Sequence, residues 1–140
     1  MLRQASHILS IRSTSPGLHE FTDSARAFVR ESGIGQGLLT LFCRHTSASL
    51  LIQENAAPAV RRDLEAYFAR IAPEGGAYEH DDEGPDDMPA HLRTALTQTQ
   101  LSIPVSRGAM LLGTWQGIYL FEHRRRSPSP REIALHLVGE

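Results

Sequence analysis

GLLTLFCRHTSASLLIQEN, residues 37–55, is where the fold is decided. Two apolar runs flank a polar turn, His45-Thr46-Ser47. On a period of two, His45 falls on the face of Leu39, Leu41 and Cys43, at the C-terminal end of the first run. Residues 37–45 are apolar enough to predict a strand buried on both faces, and 49–55 read as a second, shorter strand. A structural strand has no need of His45, Thr46, Ser47, Glu54 and Asn55 so close together, so the same stretch also raises the question of a site.

Working outward, residues 2–12 alternate loosely and predict a first strand, which STSPG (13–17) breaks. FTDSARAFVRESG (21–33) predicts a helix capped by Thr22 or Asp23, with Ala25, Phe28 and Val29 on one face and Gly33 as its stop. On the other side, Pro58 opens a helix whose Val60, Leu64, Tyr67, Phe68 and Ile71 form an amphipathic stripe ended by Pro73. An acidic Gly-Pro-bearing loop (74–88) and a short helix from Pro89 follow. The last third reads as strands: LSIPV (101–105), AMLLGTWQGIYLFEHR (109–124) and REIALHLVG (131–139), the last two as a hairpin with a longer loop. This order is no regular βαβ alternation. It predicts an α+β fold, a compact single domain over 1–140, with a largely antiparallel, β-sandwich-like sheet core and two to three helices.

The chain has 140 residues, of which 41% are hydrophobic and 21% charged, enough for one core. A net charge of -2 supplies no field to attract nucleic acid or an anionic membrane, so neither is an expected partner. The one local basic cluster, Arg124 to Arg126 with Arg131, is either a solvated loop or an anion holder. Cys43 is the single cysteine, which excludes an internal disulfide, and its apolar neighbours predict a buried, inert thiol. No apolar run approaches the roughly 18–20 residues of a membrane span, and the N-terminus lacks the apolar region of a signal peptide. A cytoplasmic location is the expectation.

Polar residues collect in two further blocks. HDDEGPDDMPAH (80–91) is either a solvated acidic loop or one wall of a metal site, in which His80 and His91 converge on a divalent ion. A third ligand then has to come from elsewhere, and His45 at a strand end is the natural donor. Asp82, Asp86 and Asp87 are placed to orient the imidazoles. In GTWQGIYLFEHR (113–124), Gly113 and Gly117 weaken a strand unless a bulge or a close backbone approach is needed. Period two puts Gln116, Leu120, Glu122 and Arg124 on one face, with Trp115, Gly117, Tyr119 and Phe121 on the other. His7, His19 and His136 need no special role.

Together, HTSASLLIQEN (45–55), HDDEGPDDMPAH and GTWQGIYLFEHR resemble the YjbQ family, whose members are often named secondary thiamine-phosphate synthase enzymes. The resemblance covers essentially the whole chain. It implies a homotrimer with a cleft near the subunit interfaces, and a metal in some members. Its named activity joins a pyrimidine-methyl diphosphate to a thiazole phosphate and releases pyrophosphate. Carried onto this sequence, it brings His45, His80 and His91 to one cleft; the residues themselves make these three the expected metal ligands, with zinc the first choice and magnesium, manganese or nickel the alternatives. Glu54 and Glu122 become catalytic acid–base candidates. Thr46, Ser47, Asn55, Trp115, Gln116 and Arg124, with Arg44 beside them, become contacts for a small phosphorylated metabolite. Two other readings stand beside the synthase: a metal-dependent hydrolase of such a metabolite, and a non-catalytic trimeric binding protein.

Overall fold

The computed structural model describes residues 1–140. Eleven elements follow in the order β1 (Arg3–Ile11), β2 (Gly17–Glu20), α1 (Thr22–Ser32), β3 (Gly37–Cys43), β4 (Ala48–Glu54), α2 (Pro58–Ile71), α3 (Asp87–Leu96), β5 (Gln100–Ser106), β6 (Ala109–Met110), β7 (Gln116–Glu122) and β8 (Arg131–Gly139). They build a five-stranded sheet, β1-β8-β3-β5-β6, and a three-stranded sheet, β2-β7-β4. Every pairing is antiparallel. The α+β class, the antiparallel sandwich and the three helices are as the sequence predicts.

The core lies between the sheets. Leu39, Leu41, Ile133, Leu135 and Leu137 enter it from the larger sheet, Leu50, Ile118 and Leu120 from the smaller, and Ala25 and Val29 from α1. Burying each such leucine or isoleucine contributes about 1.5–3 kcal/mol. On the far side of the small sheet, Leu18, Tyr119 and Phe121 pack against Leu64 and Phe68 of α2. Strand β7 is thereby buried on both faces, which places Glu122 at its end away from water.

Four expectations need correction. Strand β3 is not buried on both faces: Leu39, Leu41 and Cys43 point inward, while Leu38 and Phe42 are 43% and 46% exposed. The run 109–124 is not one strand but two pieces in different sheets, β6 and β7, joined by 111–115. For the same reason β7 and β8 form no hairpin; β8 pairs with β1 and β3, while β7 pairs with β2 and β4. The segment after the 13–16 turn also supplies the edge strand β2, and α1 has Phe21, not Thr22 or Asp23, at its cap position. The Thr22 hydroxyl instead donates to Glu20 (2.7 Å) and accepts from the Ile118 N–H (2.9 Å).

Helix ends follow local chemistry. Gly33 takes φ +70° and closes α1 with its N–H on the Arg30 carbonyl. The α2 stripe is only half used: Leu64 and Phe68 pack, but Tyr67 and Ile71 stay 48% and 45% exposed. No helix is long and apolar enough to cross a membrane.

Candidate metal centre and its surroundings

Asp87 opens α3 and is nearly fully buried. Its Oδ2 lies 2.7 Å from His80 Nε2 and 3.3 Å from His91 Nε2. One ligand atom from each of the three side chains falls within 4.8 Å of the others. The helix makes half of this arrangement, because Asp87 and His91 are i and i+4 on α3 and share a face. The acidic loop brings in His80. The Nδ1–H of His91 donates to the Thr46 carbonyl (2.9 Å), which leaves the Nε2 lone pair directed at the cluster.

Arg124 anchors this corner. It donates to Asp87 Oδ1 (2.8 Å), Asp86 Oδ2 (3.1 Å) and the Glu83 carbonyl (2.9 Å), and the Arg125 N–H adds a bond to Asp86 (2.8 Å). Burial alone would raise the pKa of Asp87; the hydrogen bond to His80 and the charges of His91 and Arg124 outweigh it and hold the carboxyl below its usual range. The hydrogen bond to Asp87, helped by nearby Asp82 and Glu83, raises that of His80. Arg124, read from sequence as a substrate contact, is therefore committed to the acidic loop.

His45 is not drawn into the cluster. The Glu132 N–H donates to its Nε2 at 2.7 Å, so the neutral ring carries its proton on Nδ1, the nitrogen facing Arg131. Burial, then the Arg131 charge, lowers its pKa and keeps it neutral. With its acceptor nitrogen occupied, His45 ties the β3–β4 turn to the start of β8. Asp87, expected to orient an imidazole, is instead the third side chain of the cluster.

Glu122 belongs to a buried ion pair. Arg131 Nε donates to its Oε1 (2.7 Å), and Arg131 Nη2 bonds its Oε2 and the Ser47 hydroxyl (3.0 Å). The Ser13 hydroxyl also donates to Glu122. Burial would raise the Glu122 pKa, but the bonds from Arg131 and Ser13 prevail and depress it. Ser47 and Glu122 thus meet in the interior around Arg131, which the sequence places in a basic cluster read as either solvated loop or anion holder.

The remaining site residues lie at the other end of the small sheet. In the β4–β7 register Ala48 opposes Glu122 and Glu54 opposes Gln116, so the two ends are ~20 Å apart at ~3.3 Å per residue. At the far end, Glu54 accepts from the Ala56 and Ala57 N–H groups (3.1 and 2.8 Å) and Asn55 donates to Glu20 (3.3 Å). Gln116 accepts from the Gly113 N–H (2.7 Å), and Trp115 is 62% exposed. The close approach expected at a glycine is real at Gly117, where a Cβ would meet Glu20 Oε2 at 2.7 Å. One chain therefore holds two polar groups, not one.

Two internal groups complete the picture. Burial raises the Cys43 thiol to about 11, the inert thiol expected. His123, which sequence reading passed over, is buried against Phe121, with Nε2 on the Ser49 hydroxyl (2.9 Å) and Nδ1 unpartnered. Burial, with the Arg93 charge, lowers its pKa to about 3. The unfolded chain takes up this proton near pH 6.5 and the folded chain does not, so stability is lost as pH falls from about 6.5 to about 3. Between pH 7 and 5 the loss is on the order of 2 kcal/mol. Urea titrations of wild type and His123→Gln at both pH values are expected to differ by that amount; equal slopes would contradict it.

Comparisons place this chain among known proteins. The family profile described as "UPF0047 protein YjbQ-like" matches residues 7–140. A UPF0047 protein of Synechocystis sp. is 52% identical over 139 residues, 99% of this chain and 94% of that protein. UPF0047 protein YjbQ of Escherichia coli O157:H7 is 45% identical over 133 residues, 94% and 96% of the two chains. Among solved structures, a YjbQ/UPF0047 family protein of Clostridium acetobutylicum superposes with TM-score 0.81 at 30% identity, covering 95% of this chain and 98% of that one. A Sulfolobus solfataricus P2 protein, described as of unknown function, shares the fold at TM-score 0.84 and 23% identity, over 100% and 99% of the chains.

Proposed function

Because this chain belongs to the YjbQ-like UPF0047 family, we propose from its own side chains that it is a metal-dependent hydrolase of a small phosphorylated metabolite. His80, Asp87 and His91 hold one divalent ion. The observation that carries this reading is the convergence of His80 Nε2, His91 Nε2 and Asp87 Oδ2. Two imidazoles and a carboxylate suit zinc, manganese, nickel or iron(II) better than magnesium, which prefers oxygen and water. Bound there, such an ion supplies Lewis-acid polarisation of a phosphoryl oxygen. The protein's part is orientation: the Thr46 carbonyl aims His91, and Arg124 holds the second oxygen of Asp87 so that Oδ2 stays turned to the imidazoles.

The synthase chemistry implied by the family name demands more. It needs cations for a leaving diphosphate and a stacking surface for a heterocycle. Arg124 is engaged by Asp86 and Asp87, and Trp115 stands at the far end of β7. A homotrimer, part of the same proposal, would let Trp115, Asn55 and Glu54 of one protomer approach the cluster of the next. Support for an assembly comes from the outer face of the large sheet, where Ile8 and Leu38 are exposed and uncovered.

The test is direct. Hydrolysis of para-nitrophenyl phosphate, abolished by a chelator and restored by zinc, is the expected result; turnover indifferent to chelation, or none with zinc, would overturn the hydrolase. Light scattering on the same sample is expected to return a trimer, and a mass of 15.5 kDa, that of one chain, would refute it.

A further inference from the structure

The cluster lies between two unlike clefts. His80 lines one of about 680 Å³, whose wall carries Glu79, Asp81 and Asp82. His91 lines the other, of about 690 Å³, with no carboxylate among its lining residues. Arg44, Thr46, Thr94 and Thr99 furnish its polar wall, and Phe42 and Ala95 its apolar one. We propose that this second cleft binds a phosphomonoester with a small, partly apolar organic group, and that Arg44 leaves Glu132 to pair with the phosphate. The inference deepens the hydrolase reading and rests on it only for what the bound phosphate faces.

Charge selects the side. A phosphate dianion is repelled by the carboxylates of the first cleft, whereas the second presents a guanidinium, whose planar fork matches phosphate geometry. Arg44 is available for exchange. Its Nη1 meets Glu132 Oε1 at 2.9 Å, but both side chains are about half exposed, at 51% and 46%. Such a pair is weak in water, and a dianion competes with a single carboxylate for it.

Hydroxyls supply the rest of the anion's partners. Thr46, Thr94 and Thr99 line the cleft, and the Thr94 hydroxyl, unpartnered but sealed from solvent, reaches the anion by a rotation about its χ1. Thr97 lines the same cleft but is already spent, donating to the Arg93 carbonyl (2.8 Å). Size argues for more than inorganic phosphate: a cleft of this volume lies in the range of small-molecule sites. Phe42, 46% exposed, is surface on which the organic group packs.

Calorimetric titration of metal-free protein with inorganic phosphate, phenyl phosphate and benzoate tests this. Phenyl phosphate is expected to bind more tightly than the other two. Arg44→Gln is expected to weaken it about tenfold, while Glu132→Gln, which frees Arg44, tightens it roughly two- to fivefold. Both substitutions alter an exposed ion pair and keep the Glu132 N–H that holds His45, so the fold is retained. Wild-type affinity in Arg44→Gln, weaker binding in Glu132→Gln, benzoate bound as tightly as phenyl phosphate, or no binding of either phosphate would each overturn the inference. Because metal is left out, failure of His80, Asp87 and His91 to hold an ion would sink the hydrolase reading and leave this one standing.

Discussion

Asp87→Asn protein is expected to lose its zinc. The substitution keeps the size of the side chain but removes the charge from the one carboxylate that both imidazoles approach. Asp86 still holds Arg124, so the corner of the fold survives. Removing one of three protein ligands lowers affinity by at least about 100-fold, since even loss of an orienting partner costs about 10–100-fold. Elemental analysis after equilibration with buffered zinc measures it. His80→Ala and His91→Ala are expected to behave alike, whereas His45→Ala keeps its zinc. Unchanged metal in Asp87→Asn, or loss in His45→Ala alone, would return the site to the ligand set inferred from sequence.

The second large effect concerns stability. Glu122 and Arg131 are 0% and 2% exposed, so removing one partner strands a buried charge. Glu122→Ala is expected to cost about 3–5 kcal/mol, a fall in Tm of roughly 10–20 °C for a chain of this size. The double variant Glu122→Leu/Arg131→Met removes both charges and is expected to recover most of that loss. The depressed pKa of Glu122 gives the same pair a pH signature. Its contribution is complete above the ordinary carboxylate range and is lost as pH falls through the folded value. A catalytic base at Glu122 predicts the opposite pattern, lost turnover with an unchanged Tm, and calorimetry of the two variants separates them.

The helices were legible because their signals are local: Pro58 at the start of α2, Gly33 after α1, and Pro89 in the first turn of α3, although that helix starts two residues earlier than expected, at Asp87. The sheets were legible as strands but not as partners. Nothing local in 109–124 shows that residues 111–115 carry the chain from one sheet to the other, and the proximity of β7 and β8 in sequence suggested a pairing that the topology denies. Strand phase put His45 on the face of Leu39, Leu41 and Cys43, but the strand ends at Cys43. Phase could not show that the Glu132 N–H, 87 positions away, occupies the acceptor nitrogen of His45. His80 and His91 do meet, but Asp87 completes their cluster, because the helix turns its carboxylate to the face that carries His91. His123 escaped notice because it sits at a strand end beside residues that already explained the strand, and Arg131, read as solvated loop or anion holder, is instead buried against Glu122.

The central claim is that one ion sits among His80, Asp87 and His91. Crystals of the protein grown with zinc and measured at the zinc absorption edge test it most directly. The account predicts one anomalous peak within about 2.0–2.2 Å of His80 Nε2, His91 Nε2 and an Asp87 carboxylate oxygen. A peak at His45, or none at this cluster in zinc-saturated crystals, would contradict it.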